Sequence, residues 1–132
     1  MAKAGINKSI LASLGGEVHC FMSDPDVAQE ARSRGVTRAF VSMEKAAALE
    51  KPCIFAIGNA PTALLSLEAL MEENKVAPAL IIGVPVGFVN VEASKEQIIA
   101  AAHAPYIVAR GRKGGSNVAA AICNALLYQI RR

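Results

Sequence analysis

Residues 54–97 read IFAIGNAPTALLSLEALMEENKVAPALIIGVPVGFVNVEASKEQ, and this stretch sets the fold class. It holds two short apolar runs, residues 54–57 and 79–84. Each passes into a turn rich in Gly, Asn and Pro and then into a segment with helical periodicity. A buried strand that ends in a glycine turn and opens a helix is the repeating unit of an α/β sheet. Helical crossovers between successive strands imply a parallel sheet. The expected architecture is a mostly parallel sheet with helices on both faces, a three-layer α/β/α single domain spanning residues 1–132. Open α/β sheets bind ligands beyond the carboxyl ends of their strands. The turns at 58–62 and 83–90 are therefore the first places to look for a site.

Outward from this stretch the pattern continues. Residues 1–14 carry Ile6, Ile10, Leu11 and Leu14 at helical spacing, and Gly15-Gly16 stops them. Residues 17–22 (EVHCFM) are a strand candidate. Ser23-Asp24-Pro25 starts a helix that ends near Gly35. Thr37 and Arg38 fall in a connection, and Ser42 is the expected cap of a helix over 43–50. The next strand covers 53–57, and Asn59 is the expected cap of the helix behind it, with Pro61 and Thr62 in its first turn. After the strand over 79–84, Ser94 and Gln97 fit a capping box. Pro105 precedes a last strand over 106–109, and Ser116 caps the final helix. The expected order is α-β-α-α-β-α-β-α-β-α, with four strands.

At 132 residues with 53% hydrophobic and 19% charged side chains, the chain can bury one core and has no disordered composition. Aromatic residues are 5%, with no Trp, too few for the stacking platforms of single-strand binders. A formal net charge of +3 suits an acidic small ligand and is too weak to argue for nucleic acid. No stretch approaches the length of a membrane span, and the N-terminus shows no secretory pattern. Cys20, Cys53 and Cys123 are far apart in apolar runs, expected as buried thiols in a reducing cytoplasm.

The clearest electrostatic feature is Arg110-Gly-Arg-Lys-Gly-Gly-Ser116. Its three cations sit in a glycine-rich loop that opens a helix, where backbone N–H groups and the helix dipole favour anions. Neither GxxxxGK[ST] nor GxGxxG is present. A solvated basic turn is the plain alternative. Residues 58–62 offer an amide (Asn59) and a hydroxyl (Thr62) at a helix start. Residues 83–88, apolar apart from their backbone, suit the flat face of a large, partly hydrophobic ligand. His19 lies in a strand candidate, His103 near a helix end, and Arg38 after a helix. No nucleophile triad or metal-ligand cluster emerges. The residues by themselves describe an α/β domain with an anion-friendly, partly apolar site at strand ends.

The same motifs resemble the precorrin-8X methylmutase family of cobalamin biosynthesis, cobalt-precorrin-8 methylmutases included. The matching pieces are AGIN (4–7), EVHCFMSDPDVAQEA (17–31), TR (37–38), IGNAPTAL (57–64), PALIIGVPVGFVN (78–90), ASK (93–95) and GRKGGS (111–116). They run in order along nearly the whole chain. The resemblance implies an isomerase that moves a methyl group of the corrinoid ring from C-11 to C-12 by a suprafacial 1,5-sigmatropic shift. The product is hydrogenobyrinate or cobyrinate, and no cofactor is consumed. It implies a cytoplasmic homodimer with sites at the subunit interface, and no nucleic-acid or membrane partner. Carried onto this sequence, Arg38 holds a substrate carboxylate, and Asn59 and Thr62 meet the edge of the macrocycle. Gly83, Val86, Gly87 and Phe88 line its face, and Arg112, Lys113, Gly114, Gly115 and Ser116 take its peripheral carboxylates.

The resemblance also implies a difference. The family's proposed general acid is a histidine upstream of the AGIN motif, and this chain begins almost at AGIN. Neither His19 nor His103 matches it, so no catalytic residue is assigned, and an N-terminal segment of the family is expected to be missing. Two other readings follow: a non-catalytic tetrapyrrole-binding module or inactive fragment, and a phosphate-binding α/β domain supported only by the glycine loop. A sheet short of strands would expose an apolar edge, which pairs or aggregates. The chain is therefore expected to be a homodimer or higher homo-oligomer, or to associate with the missing segment.

Overall fold

A computed structural model describes residues 5–13, 16–49, 53–87 and 89–131. At its centre lie three parallel strands, β1 (Ile54–Ile57), β2 (Leu80–Gly83) and β3 (Tyr106–Val108), in the order β1-β2-β3. Ile54 stands beside Leu80, and Ile81 beside Tyr106. The described helices are α1 (Lys8–Ser13), α2 (Pro25–Arg34), α3 (Arg38–Ala47), α4 (Pro61–Glu72), α5 (Val91–Ala101) and α6 (Ser116–Arg131). Each strand is followed by a helix, as a parallel sheet requires.

Alternation along the strands sorts side chains to two faces. Phe55, Ile57 and Ile81 pack with Leu64, Leu67 and Met71 of α4, Ile98 of α5 and Ala39 of α3. Ile82 and Val84 pack on the opposite face with Ala119 of α6, joined by Ala56, Leu80, Ile122 and Leu126. Helices thus cover both faces, the three-layer arrangement expected from the sequence. Ile54 (55% exposed) on one outer strand and Tyr106 and Ile107 (39% and 37%) on the other leave apolar surface at the sheet edges.

Several local expectations are corrected. Residues 16–20 adopt no regular structure, so the described sheet has three strands rather than four. A β-strand needs a neighbour for its N–H and C=O groups, and no described backbone bond joins residues 17–20 to another strand. The helix expected from Ser42 begins earlier. Thr37 caps it, its hydroxyl accepting from the Phe40 N–H at 3.1 Å, while Ser42 is buried inside with its hydroxyl 3.4 Å from the Met22 sulfur. Asn59 does not cap α4; Ala60 holds that position, with Pro61 at the first turn. The capping box is also absent. Helix α5 starts at Val91 after Asn90 in the left-handed region (φ 61°), and Ser94 is buried, donating to the Val91 carbonyl at 2.9 Å. Ser116 is the first residue of α6 rather than the residue before it.

The Asp24–Pro25 helix start and the Gly35 stop hold. Gly35 takes φ 67°, and the Val36 N–H reaches the Ala31 carbonyl at 3.0 Å, closing the helix end. Asp24 spends its carboxylate on Lys45 rather than on the helix cap. Cys20 is exposed, and Cys53 and Cys123 are half-buried, so none of the three thiols is fully buried as expected. Among the described residues no helix is long and apolar enough to cross a membrane.

Candidate functional site

Three neighbouring parallel strands deliver their carboxyl-terminal loops to one edge of the sheet, and these loops are tied together. The loop after β3 is held to the loop after β2 by two backbone bonds: the Gly115 N–H donates to the Val84 carbonyl at 2.8 Å, and the Gly87 N–H to the Arg112 carbonyl at 3.2 Å. Gly58, at the end of β1, faces the start of α6 so closely that a Cβ there would stand 2.7 Å from the Gly115 oxygen and from the Ser116 nitrogen and Cα. A Cβ on Gly114 would collide with the Val84 carbonyl oxygen. These glycines are there for close approach of one backbone to another.

Most residues expected at the site fall on these loops. Gly83 is buried at the end of β2, Val84 and Pro85 are buried behind it, and Val86 is 44% exposed. Asn59 is exposed directly after Gly58, and Thr62 is half-buried in the first turn of α4. Arg112 and Lys113 are exposed, with Gly114, Gly115 and Ser116 half-buried beneath them. Phe88 lies outside the described residues. Arg38 stands apart, exposed at the first turn of α3, with no hydrogen bond or ion pair to these loops among the described residues.

Both arginines of the glycine loop are paired with acids. Arg110 contacts Glu96 at 3.1 Å, and the Arg112 Nε contacts Glu92 at 2.8 Å, both acids being on α5. All four side chains are more than half exposed. Such pairs are weak in water, so an incoming carboxylate can compete with Glu92 for the arginine. Below the loop Lys95 is fully buried and donates to the Gly111 and Lys113 carbonyls at 2.8 and 2.9 Å. Burial pushes its pKa below the usual lysine value, against the pull of Glu92. Sequence reasoning put Gly58 in a candidate turn without a role of its own, and gave Glu92 and Lys95 no site role. Lys95 was visible only as part of the ASK motif.

The two histidines lie elsewhere. His19 stacks on Phe21 with ring centroids 5.8 Å apart and stands 3.6 Å from Glu17. His103 follows α5, its Nε2 3.9 Å from buried Glu68, which also accepts from Gln97 at 2.9 Å. Glu68, Glu72 and His103 bring ligand atoms within 4.8 Å of one another, a grouping that no spacing in the sequence revealed. It sits towards the C-terminal end of α4, away from the strand-end loops.

The chain as a whole, strand-end loops included, is similar to known proteins. The family model described as CbiC, precorrin-8X methylmutase, matches residues 1–129. The chain belongs to the precorrin-8X methylmutase family. It is 50% identical over 132 residues to the cobalt-precorrin-8 methylmutase of Salmonella typhimurium strain LT2, covering 99% of this chain and 60% of that protein. The cobalt-precorrin-8 methylmutase of Priestia megaterium is 48% identical, over 96% of this chain and 56% of its own length. The crystal structure of the Thermus thermophilus precorrin-8X methylmutase superposes with a TM-score of 0.85 at 38% identity, over 97% of this chain and 61% of that one. This methylmutase-family chain therefore spans about 60% of the length of the curated relatives it matches.

Proposed function

We propose that the protein carries the corrinoid site of a methylmutase, an isomerase of cobalamin biosynthesis. The reaction moves the methyl group at C-11 of precorrin-8X or cobalt-precorrin-8 to C-12, giving hydrogenobyrinate or cobyrinate, with no cofactor consumed. The observation that carries this reading is the convergence of the three family-matching loops on one sheet edge. A macrocycle with apolar faces and a rim of carboxylates needs an apolar wall beside an anion site, and the loops after β2 and β3 supply both.

In this reading Gly83, Val86, Gly87 and Phe88 lie against the ring, and Asn59 and Thr62 meet its edge. Arg112, Lys113 and the backbone of Gly114, Gly115 and Ser116 take the peripheral carboxylates, aided by the N-terminus of α6. Arg38 reaches a carboxylate further out. A sigmatropic shift needs the ring held and a proton supplied more than it needs a nucleophile. Proton donation is assigned to neither histidine, because His19 lies against Phe21 and His103 beside Glu68. The working form is a cytoplasmic homo-oligomer, a dimer in the simplest case, in which a second copy covers the exposed apolar strand edges at Ile54, Tyr106 and Ile107.

Titration with hydrogenobyrinic acid followed by visible absorption tests the site. Saturable binding with a spectral shift supports it, and an unchanged spectrum at millimolar ligand overturns it. Light scattering behind size exclusion tests the assembly, and a monodisperse monomer refutes it.

A further inference from the structure

At the sheet edge opposite the strand-end loops, the helices end and the chain turns back to begin the next strand. Helix α4 ends at Glu72 ahead of β2, and α5 ends at Ala101, just before His103 and the start of β3. Two helix C-termini therefore meet this edge, and the negative end of a helix dipole favours a cation.

Glu68, one turn inside α4, is only 4% exposed. A buried carboxylate is rare unless a cation pairs with it or it coordinates a metal. Among the described residues no lysine or arginine pairs with Glu68. Its Oε2 accepts from the neutral Gln97 amide at 2.9 Å. Its Oε1 accepts no hydrogen bond among the described residues and lies 3.9 Å from the His103 Nε2, beyond hydrogen-bond reach. No fully buried side-chain oxygen of the described residues lacks a partner, so the little that Glu68 exposes includes this Oε1. Glu72, four residues on along the same helix face, and His103 are both exposed, and the three residues bring one ligand atom each within 4.8 Å of one another.

An imidazole nitrogen with two carboxylate oxygens suits zinc and its first-row neighbours, whereas magnesium and calcium take oxygen ligands. Zinc bonds near 2.1 Å bring ligand atoms to roughly 3.3 Å from one another. The spread must therefore close, and the two exposed side chains can swing inward while Gln97 holds Glu68 in place. A ligand oriented by a hydrogen bond from behind is usual at metal sites.

We propose that Glu68, Glu72 and His103 hold a divalent first-row metal ion, zinc by its donor set, which ties α4 to the connection between α5 and β3. Water takes the remaining tetrahedral position. The site is separate from the strand-end loops and does not rest on the corrinoid reading.

The test is calorimetric titration of the full chain with zinc after chelator treatment, together with thermal unfolding. One zinc should bind per chain, and zinc well above its Kd should raise Tm by about 5–10 °C. Magnesium at the same concentration should do neither. Glu68→Gln, Glu72→Gln and His103→Asn should each weaken zinc binding by at least tenfold, and Gln97→Ala by about tenfold through loss of the supporting bond. The two exposed positions keep the test decisive if Glu68→Gln does not fold. Cys20→Ser, which removes the exposed thiol, should bind zinc as the wild type does. A Tm indifferent to zinc would leave His103 as a simple ionic partner of Glu68 and overturn the proposal. So would binding that survives both Glu72→Gln and His103→Asn, binding lost in Cys20→Ser, or an equal response to magnesium.

Discussion

Replacing Gly58 by Ala should separate the loops that make the site. The added methyl would stand 2.7 Å from three backbone atoms, the Gly115 oxygen and the Ser116 nitrogen and Cα, whereas ordinary contact begins near 3.4 Å. The start of α6 must therefore retreat by about 0.7 Å, since no flexible side chain is there to yield. The Gly115 N–H lies 2.8 Å from the Val84 carbonyl, and the same movement would stretch that bond to the edge of hydrogen bonding. Overpacking of this kind costs about 1–3 kcal/mol, and the lost bond about 1 kcal/mol. A total near ~3 kcal/mol corresponds to a fall in Tm of roughly 10 °C for a domain of this size. The control is Gly35→Ala, where φ is 67° but nothing lies within 4 Å, so that only backbone strain of about 1 kcal/mol is expected. Thermal unfolding followed by circular dichroism measures both. A Gly58→Ala variant melting within about 2 °C of the wild type, or less affected than Gly35→Ala, would refute the packing of the first strand-end loop on α6.

Thr37→Ala should cost about 1 kcal/mol through loss of the α3 cap, and Ser42→Ala distinctly less, by urea unfolding; the reverse order would place the helix start at Ser42 after all. Leu64 has no exposed surface and packs between α4 and the sheet, so Leu64→Ala should lose about 3–4 kcal/mol in the same assay. Lys45 holds the Asp26 carboxyl below its usual pKa, chiefly by hydrogen bonding. A depressed carboxyl stabilises the fold above its unfolded pKa and loses that contribution as pH falls through the lower folded value. The stability gap between wild type and Lys45→Met should therefore be present at neutral pH and narrow below about pH 4, and a gap that widens in acid would contradict the pairing.

Much of the fold was legible because its signals are local. The runs at 54–57 and 79–84 are apolar throughout, and each is punctuated by a glycine turn before a helix. The Asp24–Pro25 start and the Gly35 stop are set by the dihedral preferences of single residues, and they were read correctly. Features that depend on a partner were misread. Residues 17–22 have the composition of a strand, but a strand exists only beside another, and none lies there among the described residues. Ser42, Asn59 and Ser94 are residues of capping type, yet whether such a side chain caps a helix or is buried within it depends on where the helix begins.

The site divides in the same way. Glycine-rich, basic and apolar segments could be picked out one by one, and their combination showed the family. Their meeting at one edge could not, because it follows from three strands lying side by side in parallel. Lysine by type belongs at the surface, so the burial of Lys95 was not legible either. By itself the sequence determined the α/β class and the family, since periodicity, turn chemistry and motif order are properties of the chain. Only the tertiary structure decided which loops touch, which glycines have no room for a side chain and which lysine lies beneath the glycine loop, because those are distances between residues far apart in sequence.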